Sequence, residues 1–223
     1  MLNELNQVIN YIEEHLSDDD LSLEVISEYA KVSDYHFRKI FFYLSGLITV
    51  KGGISMDFRI EDKPAFNLVG VSKRVPMQFE GVNSEIVKLA ESITDEQREK
   101  MRSLQNIEPY EIINASYEAD ANFLREEGEL THLIGILTTE NHVSDLLEKV
   151  PVEACTWAIF PNEGPFPSTL QETMAKVYSE WLPSSNYEVI NAPVFSFTKM
   201  NTQKKDYAYS EVWIPVLLKI AVS

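Results

Sequence analysis

One stretch near the C-terminus, Tyr209-Ser210-Glu211-Val212-Trp213-Ile214-Pro215-Val216, sets a carboxylate between two large aromatic rings at alternate positions. Side chains alternate along a β-strand. As a strand, the stretch presents Tyr209, Glu211 and Trp213 on one face and Val212, Ile214 and Val216 on the other. The aliphatic face needs a core. The first face has the chemistry to hold an organic cation. Its carboxylate supplies charge, its rings supply cation–π attraction of about 0.5–2 kcal/mol, and an aromatic wall tolerates many shapes. On a concave, part-buried face, desolvation raises the pKa of Glu211, and an entering cation relieves that cost. The bland alternative is an edge-strand glutamate facing water. Two flanking rings argue against it.

Other reactive residue types lack a usable spacing. His15, His36, His132 and His142 are scattered, with no cysteine or carboxylate partner at metal-ligand spacing. Cys155 falls mid-strand and reads as a small buried residue. Asp18-Asp19-Asp20 lacks the later ligands of a calcium loop. There is no nucleophile elbow, phosphate loop or dinucleotide fingerprint. Neither a metal nor a cofactor is expected. Trp181 closes an apolar helix stripe and belongs to the core. Trp157 and Phe160 share a strand but point to opposite faces, so at most one meets Glu211. The expectation is a binding protein rather than an enzyme; the runner-up is a hydrolase in which Glu211 activates water and Tyr209 orients it.

The 223 residues suffice for one large or two modest domains, and 44% apolar content supplies a core. A formal charge of −16 opposes non-specific nucleic-acid binding and favours cationic ligands. The single cysteine excludes an intramolecular disulfide and fits a reducing compartment. No apolar run approaches the ~18–20 residues of a membrane span, and no signal peptide opens the chain. A cytoplasmic location is expected.

The elements that must position these residues begin with helices. Leu5, Val8, Ile9, Ile12 and Leu16 form one stripe. A second helix follows Ser22, and a third runs from Asp34 to about Leu44 after the Lys31-Val32-Ser33 turn, with Gly46 as its stop. This is a helix-turn-helix outline. Residues 5–46, above all Leu21–Ile26 and Val32–Phe41, resemble the first helix-turn-helix of AraC-type transcription regulators. The resemblance implies a recognition helix from Asp34 that offers Tyr35, His36, Arg38 and Lys39 to DNA. The second helix-turn-helix of that family is missing, and Lys31 stands where the family favours glycine. Residues 1–50 hold nine acids against three bases, which weakens phosphate contact. Self-association as a homodimer, or a partner, would be needed to grip DNA.

Residues 47–53 read as a linker around Gly52-Gly53, and 54–223 as a second domain built from two copies of one plan. The first has strands at Asp57–Ile60 and Phe66–Pro76, helices at 84–93 and 95–105, with Thr94 and Gln97 spaced as a capping box, and strands at Tyr110–Tyr117 and Leu130–Thr138. The second has a strand at Val152–Phe160, a helix opened by Ser168 and Gln171 as another capping box, with the stripe Leu170, Met174, Val177 and Trp181, and strands at Val194–Lys199 and Tyr207–Lys219. The fold class is α+β: a small all-α head, then a pseudo-two-fold β-α-β-β duplication with a cleft where the copies meet. Lys63–Gly70, Gly164-Pro165-Phe166, Glu180–Ser185 and Glu211–Val216 resemble the GyrI-like effector-binding domain, which also occurs fused to AraC-type and MerR-type regulators. The resemblance implies a pocket between the repeats for hydrophobic, often cationic compounds. The family's ligand-contacting glutamate maps onto Glu211. Some relatives with this fold hydrolyse reactive cyclopropane-bearing toxins. The reading is thus an AraC-like regulator that a hydrophobic or cationic effector controls through Glu211, Trp213 and Tyr209; the alternatives are the hydrolase above and, without a grip on DNA, a protein that sequesters or senses its ligand.

Overall fold

A computed structural model of the chain describes residues 56–78, 82–120 and 128–219. The helical head at 1–46, with Tyr35, His36, Arg38 and Lys39, and the 47–53 linker lie outside the described residues. The described elements run β1 (Arg59–Lys63), β2 (Phe66–Pro76), α1 (Ser84–Ser92), α2 (Asp95–Leu104), β3 (Ile113–Tyr117), β4 (Glu129–Thr138), β5 (Glu148–Val152), β6 (Cys155–Pro165) and α3 (Ser168–Lys176). A π-helical turn (Val177–Trp181), α4 (Leu182–Ser184), β7 (Tyr187–Val189), β8 (Val194–Met200) and β9 (Tyr207–Leu218) complete them.

The nine strands among the described residues join one antiparallel sheet in the order β1-β6-β9-β8-β3-β4-β2-β5, with β7 on the far end of β9. The order is palindromic about the β3–β8 pair, as a duplication requires. The edge strands are exchanged: β1 precedes β2 in sequence but pairs with β6, while β5 precedes β6 and pairs with β2. The halves therefore share one inner core. It contains Phe66, Leu68, Leu133, Leu137, Trp157, Ile159, Phe195 and Trp213. Phe66 of β2 lies 5.9 Å from Trp157 of β6, although β9, β8, β3 and β4 separate them in the sheet, so the sheet curls over its own inner face. The outer face of one half packs under α1 and α2 through Val69, Leu89, Met101 and Ile136. The other packs under α3 and the π-turn through Phe160, Val177, Trp181 and Ile214.

The two eleven-residue strands β2 and β6 correspond through their pairing registers, with Phe66 matched to Cys155. Following the registers, Ser72 falls on Pro161, so their partners Leu133 and Glu211 correspond. By the same step Gly135 corresponds to Trp213. Gly70 and Gly135 face each other, and a Cβ on either would lie 2.2 Å from a backbone oxygen of the other strand. Such an approach is open only to glycine.

Several boundaries differ from the sequence reading. The expected strand at Val152–Phe160 is two strands, because Glu153-Ala154 lies where β5 leaves one half and β6 enters the other. Strand β7 was not expected; three residues give too little alternation to read. The Thr94–Gln97 capping box is present. The Ser168–Gln171 box is not: Pro167 occupies the N-cap, and the Ser168 hydroxyl turns back to donate to the Pro165 carbonyl at 3.1 Å. Among the described residues no helix is long and apolar enough to cross a membrane.

His132 on β4 is buried, its Nδ1 3.3 Å from Ser116 Oγ and its Nε2 3.2 Å from Asn114 Oδ1. Burial pushes its pKa down to about 4. The unfolded chain therefore takes up this proton first, and stability present above pH 6.5 is lost as pH falls towards 4. A urea titration should show a loss on the order of 2–3 kcal/mol across that window, much reduced in His132→Asn. Gly70→Ala should cost about 2–3 kcal/mol in the same assay at neutral pH, since backbone must move.

Candidate functional site

Strands β1, β6 and β9 lie side by side and contribute alternate residues to the inner face: Arg59, Glu61 and Lys63, then Trp157 and Ile159, then Tyr209, Glu211 and Trp213. Strand β9 is central, between β6 and β8, so Glu211 is 6% exposed rather than on an edge. A carboxylate offers about four lone-pair directions, and all four are used. Oε1 accepts from Arg59 Nη1 at 2.9 Å and from the Tyr209 hydroxyl at 2.6 Å. Oε2 accepts from Arg59 Nη2 at 2.9 Å and from the Trp213 indole Nε1 at 2.9 Å. Trp213 stacks on Phe195 at 5.0 Å and meets Trp157 edge-on at 6.0 Å. The Trp157 Nε1 is buried and has no hydrogen-bond partner among the described residues.

Two cations already lie over the Trp213 ring, the Arg59 guanidinium at 5.9 Å and Lys63 Nζ at 5.3 Å. Glu61 joins them, accepting from Arg59 Nε at 2.7 Å and pairing with Lys63 at 2.5 Å. The sequence reading has burial raising the Glu211 pKa. Burial does act in that direction and is the largest single influence. The Arg59 fork, Tyr209 and Trp213 together outweigh it, so the carboxyl sits below its ordinary range. The hydrogen bond to Glu211 is the main cause that raises Arg59. Tyr209 is pushed up to about 12, first by burial and then by its bond to Glu211.

A hollow of about 100 Å³ lies elsewhere, against α2 on the outer side of the first half, lined by Ile93, Met101, Ile112, Ile134, Arg98 and Arg102. It is smaller than the roughly 300 Å³ a drug-sized ligand needs, and two arginines rim it. It is a poor match for a cation.

A family model described as the GyrI-like small molecule binding domain matches residues 56–217. The chain belongs to the GyrI-like family. Among solved structures, this GyrI-like domain is similar to SAV2435 bound to tetraphenylphosphonium, with a TM-score of 0.56 at 15% identity over 73% of this chain and 94% of that one. It is similar to the EcmrR C-terminal domain, with a TM-score of 0.54 at 15% identity over 75% of this chain and 100% of that one. EcmrR in its DNA complex gives a TM-score of 0.54 at 15% identity, covering 98% of this chain and 81% of that one. Identities this low establish a shared fold. No curated protein matches the chain in sequence.

Within the GyrI-like domain the structure brings Tyr209, Glu211 and Trp213 together on one face. Trp181 packs in the outer core against Phe160, at 4.9 Å. Of the Trp157 and Phe160 pair, Trp157 is the one that faces Trp213. Cys155 opens β6, half-buried, its thiol pushed up by burial. Sequence reasoning missed Arg59, Glu61 and Lys63. Their alternation as Arg-x-Glu-x-Lys puts three charges on one strand face, a signal visible in the sequence, but only the β1–β6 pairing directs them at Glu211. Trp213→Phe keeps an aromatic side chain but trades the indole for a smaller phenyl ring and removes one donor from a buried carboxylate. It should lower unfolding free energy by about 1–2 kcal/mol, read as a shifted urea midpoint with unchanged slope.

Proposed function

We propose that this GyrI-like domain binds hydrophobic organic cations at Glu211, with Tyr209 and Trp213 as aromatic walls, and that occupancy is passed to the N-terminal residues to control transcription. The carrying observation is the Glu211 carboxylate, buried among aromatic rings and already holding a planar, delocalised cation through a two-point contact. A surface that accommodates a guanidinium there has the charge and aromaticity to hold a ligand cation. Two likenesses add support: SAV2435 was solved with tetraphenylphosphonium, and EcmrR was solved on DNA. For regulation, the AraC-like residues Tyr35, His36, Arg38 and Lys39 are the DNA-contacting candidates. With nine acids and three bases over residues 1–50, a homodimer or a partner would supply the remaining grip. The coupling would be reciprocal, with ligand altering DNA affinity and DNA altering ligand affinity by one factor. Hydrolysis has less support, because a carboxylate held by four donors is a weak general base.

Calorimetric titration with tetraphenylphosphonium and with neutral triphenylphosphine oxide tests the charge. Glu211→Gln should weaken the cation more than tenfold and the neutral compound less than threefold. Equal losses would remove charge recognition. A low-salt gel shift, with and without tetraphenylphosphonium, tests the regulatory half; no shift in either condition would remove it.

A further inference from the structure

We propose that Arg59 is an intramolecular competitor for the ligand's positive charge, and therefore the residue that selects which cations the site accepts. This rests on the cation-binding reading above. All four lone-pair directions of Glu211 are filled, two of them by Arg59. Tyr209 and Trp213 are neighbours on the same strand and belong to the walls. Arg59 comes from β1, which among the described strands is an edge strand and pairs only with β6. Its side chain is 40% exposed against 8% for Glu211, so the guanidinium stands between the acid and water. An entering cation meets Arg59 before it meets Glu211, and it reaches the carboxylate by taking the place of Arg59.

The exchange is feasible because Arg59 has a second acid. Glu61, two residues along the same face of β1, already accepts from Nε at 2.7 Å. A guanidinium that swings away from Glu211 keeps that partner and gains water. Lys63 lies over the same Trp213 ring at 5.3 Å, so the ring face must also be cleared. These occupants set a threshold. A small cation without aromatic area, such as tetramethylammonium, offers Glu211 neither the two-point hydrogen bonds of the forked guanidinium nor ring contact in their place. A lipophilic cation with spread charge brings aromatic area for the Tyr209 and Trp213 rings beside Glu211 and loses little hydration. The site is thus selective for bulky aromatic onium compounds over simple ammonium ions.

The test titrates the full chain with tetraphenylphosphonium and with tetramethylammonium. Arg59→Met should bind tetraphenylphosphonium at least tenfold more tightly than the unsubstituted chain and should gain measurable tetramethylammonium binding. Arg59→Lys, which keeps a charge but loses the fork, should fall between them. Should Arg59→Met fail to fold, Arg59→Gln removes the charge while keeping a donor for the carboxylate, and it should also bind more tightly. Binding by the Arg59 variants alone supports the competitor role in its strongest form. Equal affinity for the unsubstituted chain and Arg59→Met, with Glu211→Gln still weak, overturns the competitor role and leaves the cation site standing. If no form binds tetraphenylphosphonium, both readings fall.

Discussion

A buried carboxylate must be compensated, and the Glu211 neighbourhood is arranged to do so. Removing an ion from water costs several kcal/mol even after relaxation. Here the compensation comes from two strands at opposite ends of the described chain. Strand β9 supplies Tyr209 and Trp213 from the acid's own face, and β1 supplies Arg59 across the intervening β6. The registers of three strands must hold together for the four donors to meet one carboxyl group. A slip of one residue in β1 would turn Arg59 to the helix-covered side and bring Ile60 inward. The site and the sheet therefore specify one another.

The duplication makes the site's singularity plain. At the position of Glu211 the first half has Leu133, and at the position of Trp213 it has Gly135. The half with glycines draws its strands close, while the half with Trp213 stacks rings on Phe195 and Trp157. Even the edge strands diverge. Glu148 on β5 pairs with Gly70, as Arg59 on β1 pairs with the corresponding Ile159. An acid that meets Tyr117 and Ser72 in one half is matched by a base that meets Glu211 in the other. The Glu211 cluster therefore has no counterpart in the first half, where apolar Leu133 and Gly135 stand at the matching positions.

Local patterns in the chain revealed local structure well. The Tyr-x-Glu-x-Trp alternation puts three side chains on one face because strand geometry leaves no other arrangement. The stripe Leu170, Met174, Val177 and Trp181 lies under the second half as helical spacing demands. Thr94 caps α2 because its hydroxyl can reach an amide three residues on. Nonlocal pairing was not legible. Nothing in Arg59-Ile60-Glu61-Asp62-Lys63 states that the strand will cross to the other half, so its partner acid stayed hidden and the direction of the Glu211 shift was misjudged. Ser168 failed as a cap for a related reason: the Pro165–Pro167 turn fixes the backbone ahead of it, and its hydroxyl finds a nearer carbonyl.

The exchange of β1 and β5 has a kinetic consequence. Neither half can complete its own sheet, since each lends its outermost strand to the other. A nascent first half leaves β2 with an unpaired flank until residues near 148–152 have been synthesised, and β1 waits longer still for β6. Assembly is dominated by contacts distant in sequence, the regime in which small proteins fold most slowly. A break in the connection between β4 and β5 would not yield two autonomous modules. It would yield two complementary pieces, each holding the other's border, able to become native only by embracing.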